Sequence, residues 1–486
     1  MMMPVARLLA SALLGYGLSS TLAFAQEIPA NLLQEDFRIM RRALEQAHGG
    51  IYRYTSKAEM DRTFDRAYRK IDHPMTELEF WRLVAPVVAH IKCGHTYIWF
   101  PKTLQTQFET TTPFFPLEMR VLGERAYAYQ DCANAGSALE GAELLSINGL
   151  TMKKILEQLR AVITGDGNTT TAKASRISHK GGFTVYLYAL GIQSPFRVTY
   201  RGKDGKRQSA ELAGMTIPER TKAWEARNPK PQTNADLKFL DDGRIAVLTI
   251  RHWYEYADPK RKVTFLDFLK ESFAQIRERG TSNVIIDVRD NDGGLDAPGK
   301  QLFSFLWDKS FYYDRDLVLN ALEFDYFKYA PDAKPVPRDR VELQADGKFN
   351  LIKHSNLGLQ QPSQPYFGGR VFALMNGGSF STSCEFLSML HFHKRATFIG
   401  EEAAGGYYGC TAGRMDGVTL PNSKLVLSVG IVTYYQAVSG YKYPDRGVLP
   451  DYPVSYTISE LIAGKDKEME LALSLIRSSL LDSPSR

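Results

Sequence analysis

The sequence predicts an α/β chain whose second half builds a mostly parallel sheet, preceded by a helical unit and a β-rich unit. Three observations carry that expectation. Between residues 245 and 433, apolar runs of strand length alternate with longer segments of three- and four-residue periodicity. Two of the strand-to-helix junctions hold paired glycines, at 293–294 and 377–378. The composition, 44% hydrophobic and 23% charged over 486 residues, is that of a chain that folds. At ~100–200 residues per domain the length is enough for about two to four domains.

The first element is a targeting segment. Arg7 closes a short positive region, Leu8 to Leu22 is mostly apolar, and Ala23-Phe24-Ala25 forms a small-residue cleavage site before Gln26. Residues 1–25 therefore read as a secretory signal peptide. A membrane anchor fits less well, because Ser11, Gly15, Gly17, Ser19 and Ser20 interrupt a run shorter than the ~20 apolar residues a spanning helix needs. No later segment reaches that length, so the mature chain is expected to be secreted or periplasmic, with no integral membrane span.

Residues 26–92 read as an N-terminal helical domain. Asp36 to His48 and Lys57 to Ile71 carry helical periodicity, and Thr76 with Glu79 forms a capping box that opens a third helix running to His90. Residues 93–212 alternate instead. Thr96 to Phe100 reads as a strand, Leu117 to Val121 with Arg125 to Tyr129 as one hairpin, and Phe196 to Tyr200 with Arg207 to Leu212 as another. A helix from Met152 to Val162 and a mobile loop from Gly165 to Thr170 lie between them. Residues 213–235, polar and holding Pro218, Pro229 and Pro231, read as a linker.

The core domain is expected over residues 236–460. Its strands are Ile245 to Ile250, Val284 to Val288, Val371 to Met375, Thr397 to Ile399 and Leu425 to Thr433. Its helices are Val263 to Arg279, Pro298 to Trp307 and Thr382 to His391. Residues 308–365 are long for a connection and suggest a lid or an inserted hairpin. Residues 461–486 are expected to form a C-terminal helix and tail.

Charge and cysteine content exclude several functions. The 60 basic against 54 acidic residues leave +6 with no long run of one sign, so nucleic acid is not an expected partner. Cys93, Cys132, Cys384 and Cys410 lack metal-ligand spacing and read as buried thiols or as one or two structural disulfides. No metal and no organic cofactor is expected.

The chemistry concentrates in the two glycine junctions. The strand Val284 to Val288 runs into a loop ending at Gly293-Gly294, whose amides lie just beyond a strand's carboxyl end, where α/β sites form and developing negative charge can be held. The strand Val371 to Met375 runs into Asn376-Gly377-Gly378 and then Ser379, Ser381 and Ser383 ahead of a helix. Any of these three serines can be the exposed hydroxyl of a nucleophile elbow, and any can instead cap the helix.

These residues resemble the tail-specific (C-terminal-processing) serine proteases and their tricorn-like relatives. The resemblance lies in the loop from Ile286 to Gly294, the elbow from Asn376 to Glu385, the turn from Ile399 to Gly406 and the ending from Gly447 to Asp451. Upstream, Gly141 to Gly149 is similar to part of a PDZ domain, and the helical opening followed by Gly94-His95-Thr96 also matches. The resemblance implies a crotonase-like ββα catalytic core after the helical domain and a PDZ-like β-rich domain. It places the nucleophile on Ser381 and the oxyanion hole on the amides of Thr382 and of Gly293 or Gly294.

The chain departs from the Ser–Lys members, because Gly406 stands where their dyad lysine falls. The tricorn-like branch uses a histidine of the Gly-His segment instead, which here is His95, with an orienting acid near the C-terminal Pro-Asp, here Asp445. A histidine suits the task, since its ordinary pKa near ~6.5 lets it accept a serine proton at neutral pH. His90 and His252 are the alternatives. The implied activity is that of an exported serine endopeptidase acting on peptide or protein substrates, and a homo-oligomer is compatible with it. The competing reading is a non-catalytic ligand- or peptide-binding protein on the same fold.

Overall fold

In a computed structural model, residues 26–179 and 181–481 are described, and the expected signal peptide lies outside them. The helical opening comprises Ala30–Ala47, Lys57–Tyr68 and Glu77–Ala89. Leu33, Phe37, Met40, Leu44 and Ala47 fall on one stripe of the first helix and are buried, which is why it packs where it does. Thr76 and Glu79 close the capping box on the third helix as the sequence predicts.

The β-rich unit is an antiparallel sheet in the order Leu117–Leu122, Arg125–Asp131, Glu143–Ile147, Phe196–Arg201, Arg207–Leu212. Helices Met152–Val162, Thr170–Ser178 and Gly182–Ala189 accompany it. The segment read as a linker contains a helix, Ile217–Arg227, with its own capping box from Thr216 and Glu219. Its buried residue is Arg220, which ion-pairs with Glu118 and donates to the Phe115 carbonyl, so no apolar stripe advertises it.

The central sheet runs Tyr452–Pro453, Thr397–Gly400, Arg370–Met375, Asn283–Asp287, Ile245–Ile250, Ala235–Leu240. All neighbours are parallel except the last pair. In the register of the two middle strands Asp287 lies opposite Leu374, so the two glycine loops leave the same edge side by side. Val284 and Ile286 pack on the face that carries the helix Thr382–Phe392, while Ile285, Phe372 and Leu374 pack on the other face with Ala472 and Ile476 of the helix Lys467–Leu481. Burial on both faces explains why these strands read as unbroken apolar runs.

A second, antiparallel sheet completes the core. Val426–Gln436 pairs with Thr411–Thr419, with Asp314–Leu319 and with Tyr97–Trp99. The last pairing carries the Gly94-His95 segment from the first half of the chain into the second. Residues 308–365 supply Asp314–Leu319, Val341–Leu343 and Phe349–Leu351 to this sheet and are an extension of it.

Candidate active site

The two glycine loops clamp one another before they present anything. Asn376 donates through Nδ2 to Asp290 Oδ1 at 3.0 Å, and the Asp290 amide donates back to Asn376 Oδ1 at 3.0 Å. The Asn291 carbonyl accepts from the Phe380 amide at 3.0 Å and from Ser383 Oγ at 2.9 Å, and Asn291 Nδ2 reaches the Ile250 carbonyl at 2.8 Å. A Cβ on Gly293 would sit 2.5 Å from Ser381 Cβ and 3.0 Å from Ser381 Oγ, so only glycine lets the first loop approach the second this closely.

These bonds separate the three serines. Ser379 Oγ donates to the Val288 carbonyl at 2.8 Å and accepts from the Asn376 amide. Ser383 Oγ, already bound to Asn291, accepts from Trp253 Nε1 at 2.8 Å. Both residues are fully buried. Ser381 is different: it sits at φ 57°, ψ −124°, immediately before the helix Thr382–Phe392, and its Oγ lies 3.1 Å from His95 Nε2. A non-glycine residue at such a dihedral is held there by its surroundings, a conformation common at functional turns.

His95 arrives from the turn after the third helix. Its ring stacks on Phe380, with centroids 4.5 Å apart, and the Arg176 guanidinium covers Phe380 at 4.9 Å. Arg176 also donates to the Gly94 carbonyl at 3.1 Å. The Gly94 amide donates to Asp166 Oδ1 at 2.5 Å, and the Gly406 amide to Asp166 Oδ2 at 3.3 Å. His90 instead meets Glu59 at 2.9 Å, and His252 stacks on Tyr254 with Asp292 3.8 Å away.

Among the amides, that of Gly293 is engaged by Asn291 Oδ1 at 3.0 Å. Those of Gly294 and Thr382 have no hydrogen-bond partner among the described residues.

Asp445 is not on His95. Its backbone oxygen accepts from the Asn168 amide at 2.8 Å and its carboxylate from Asn168 Nδ2 at 2.5 Å. Together with Lys92, whose carbonyl accepts from the Gly167 amide and whose Nζ donates to Asn168 Oδ1 at 2.8 Å, it ties down the loop expected to be mobile. That loop delivers Asp166, which no local pattern singles out, because its partners are the backbone amides of Gly94 and Gly406, distant in the chain.

Behind the elbow lies a buried carboxylate cluster. Burial holds Glu385 well above the usual carboxylate range, with Asp296 and Asp314 adding to the effect. Burial pushes Asp314 up to about 7, against the Asn356 hydrogen bond, which acts the other way. The four cysteines are free buried thiols, and Cys384 donates to the Ser379 carbonyl at 3.0 Å beneath the elbow. A groove of about 1140 Å³ passes between the β-rich unit and the core, lined by Arg120, Val121, Lys173 and Gly377 among others. Among the described residues no helix is long and apolar enough to cross a membrane.

Residues 244–454 match the family model for peptidase family S41. The fold is similar to that of mature CPAF complexed with lactacystin, with a TM-score of 0.64 and 14% identity over 93% of this chain and 98% of that one. A second structure of mature CPAF gives 0.60 and 14% over 89% and 94%. The photosystem II D1 C-terminal processing protease superposes less well, at 0.42 and 14% over 88% and 93%. No curated protein sequence matches the chain.

Proposed function

Starting from residues 244–454, which match the family model for peptidase family S41, we propose that the chain is a serine-type peptidase in which peptide hydrolysis proceeds through an acyl-enzyme on Ser381 with His95 as its base. The observation that carries this reading is the 3.1 Å approach of His95 Nε2 to Ser381 Oγ while the hydroxyls of Ser379 and Ser383 are engaged elsewhere.

In this reading Ser381 Oγ attacks the scissile carbonyl as Nε2 takes its proton. The free amides of Gly294 and Thr382 hold the oxyanion, the second of them at a helix N-terminus where partial positive charge helps. Nε2 then gives the proton to the leaving amine, and a water repeats the sequence to release the acyl group. Asp445 acts on the loop and not on the ring. Asp166, a carboxylate of which an oxygen falls within 4.8 Å of a His95 ring nitrogen, is held beside the ring by the Gly94 and Gly406 amides. The groove offers an extended peptide a way in along the β-rich unit. Residues 1–25 would direct export and be removed after Ala25.

The test is intact-mass spectrometry of the mature chain after a small serine-reactive phosphonate. A single adduct is expected on the wild type and none on Ser381→Ala or His95→Ala. A wild type that stays unlabelled at neutral and alkaline pH would sink the proposal.

A further inference from the structure

The His95 ring has a second nitrogen that hydrolysis leaves unused. Nδ1 is buried and has no hydrogen-bond partner among the described residues. Around the ring stand the thiol of Cys93, two residues earlier in the chain, and the carboxylate of Asp166. A ring nitrogen, the Cys93 sulfur and an Asp166 oxygen lie within 4.8 Å of one another.

Three points so spaced have a common centre at most ~2.8 Å from each, against the ~2.0–2.3 Å of zinc bonds to nitrogen, oxygen and sulfur. Closing the difference takes shifts of about half an ångström. The donor set is also the right one. Thiolate, imidazole and carboxylate are the three ligand types that zinc takes. One thiolate and one carboxylate cancel a divalent charge, which matters because Cys93 and Asp166 are 5% and 2% exposed and a net charge there would be costly to desolvate. Asp166 is fixed in place by the Gly94 and Gly406 amides, so little ordering remains to be done.

We propose that Cys93, His95 Nδ1 and Asp166 form an inhibitory Zn²⁺ site built onto the catalytic base. Its binding stands on these residues alone, whereas its effect on turnover rests on the Ser381–His95 reading. To act as a base, His95 must keep Nε2 unprotonated and its proton on Nδ1. Zinc bonds Nδ1 in place of that proton, and the displaced proton moves to Nε2. Nε2 then donates to Ser381 Oγ and no longer accepts from it. The Cys93 thiol loses one proton to solvent, so one proton is released per ion bound and nothing is oxidised or reduced.

The experiment uses the mature full-length chain carrying Ser381→Ala, titrated with Co²⁺ as a spectroscopic stand-in for zinc. A sulfur-to-cobalt charge-transfer band is expected, lost on addition of Zn²⁺ and absent when Cys93→Ser or Cys93→Ala is added. Two cysteine variants are used, with melting curves, so that a folding failure of one is recognised. In the wild type, Zn²⁺ should slow phosphonate labelling of Ser381 at least about tenfold, a chelator should restore it, and whatever rate Cys93→Ser shows without metal should not change when zinc is added. No cobalt band, or zinc inhibition that survives both cysteine variants, overturns the site. Absence of labelling in metal-free wild type, with the cobalt band present, overturns the hydrolase reading and leaves the metal site standing.

Discussion

Gly94 lets His95 reach Ser381. A Cβ there would lie 2.6 Å from the Phe380 ring, on which His95 stacks and which Arg176 covers from elsewhere. Gly94→Ala must therefore move Phe380 or the ring, and reacting groups displaced by about an ångström lose on the order of 10²-fold in rate. We expect kcat/KM on a peptide substrate to fall by about that factor, with a melting temperature close to wild type; unchanged kinetics would show that the stack does not position His95. Ser383→Ala should do the reverse. It leaves Trp253 Nε1 without its acceptor in a buried site, a loss of about 1–3 kcal/mol in chemical denaturation. Labelling per folded molecule should stay the same.

At the scale of elements, the helix Ile217–Arg227 shows where sequence reading stops. Its start was written in the chain, since Thr216 and Glu219 form a capping box around Pro218, but the prolines and the polar composition pointed to a linker. Its buried contact is an ion pair between Arg220 and Glu118, and periodicity of apolar residues cannot register a helix docked by a charge. Thr216→Ala should cost about 1 kcal/mol locally. Hydrogen exchange would detect it as faster amide exchange over residues 217–227, with Ser381 labelling unaffected. The short helices Thr170–Ser178 and Gly182–Ala189 leave little trace in the sequence for a related reason: each is only a few turns long, and the second is apolar on most sides, so no stripe marks it.

The carboxylates behind the elbow act on the whole molecule. Asp314 meets Asn356, Asp296, His354, Lys300 and the neighbouring Glu385, and its folded-state pKa of about 7 stands above the ordinary 3.8. A folded state that holds this proton more tightly than the unfolded chain is favoured fully below the unfolded value. That advantage is lost as pH rises from ~4 to ~7 and is constant above. Replacing the group by a neutral isostere removes the dependence. The melting temperature of Asp314→Asn minus that of wild type should therefore rise steadily across that interval and then level off. A difference independent of pH would mean that Asp314 is ionised in the folded state. Glu385, raised in the same direction, should leave part of the slope in the variant.

The strands of the central sheet, the opening helices and the two glycine loops are legible in the amino-acid sequence, because each is encoded locally: unbroken apolar runs, a capping box, and glycines at strand ends. The sequence also narrowed the candidate nucleophile to three serines within five residues, and the family resemblance then pointed to Ser381 and His95. Folding is what separates the Ser381 hydroxyl from its neighbours, since the partners of Ser379 and Ser383 include Val288, Asn291 and Trp253, about 90 to 130 residues away. It likewise brought Asp166 to the His95 turn and set Asp445 on Asn168. Those contacts depend on a strand of the first half, Tyr97–Trp99, pairing with Val426–Ser428 of the second. Backbone pairing between such distant segments leaves no periodic mark in either one, so the fold had to form before the site could be read.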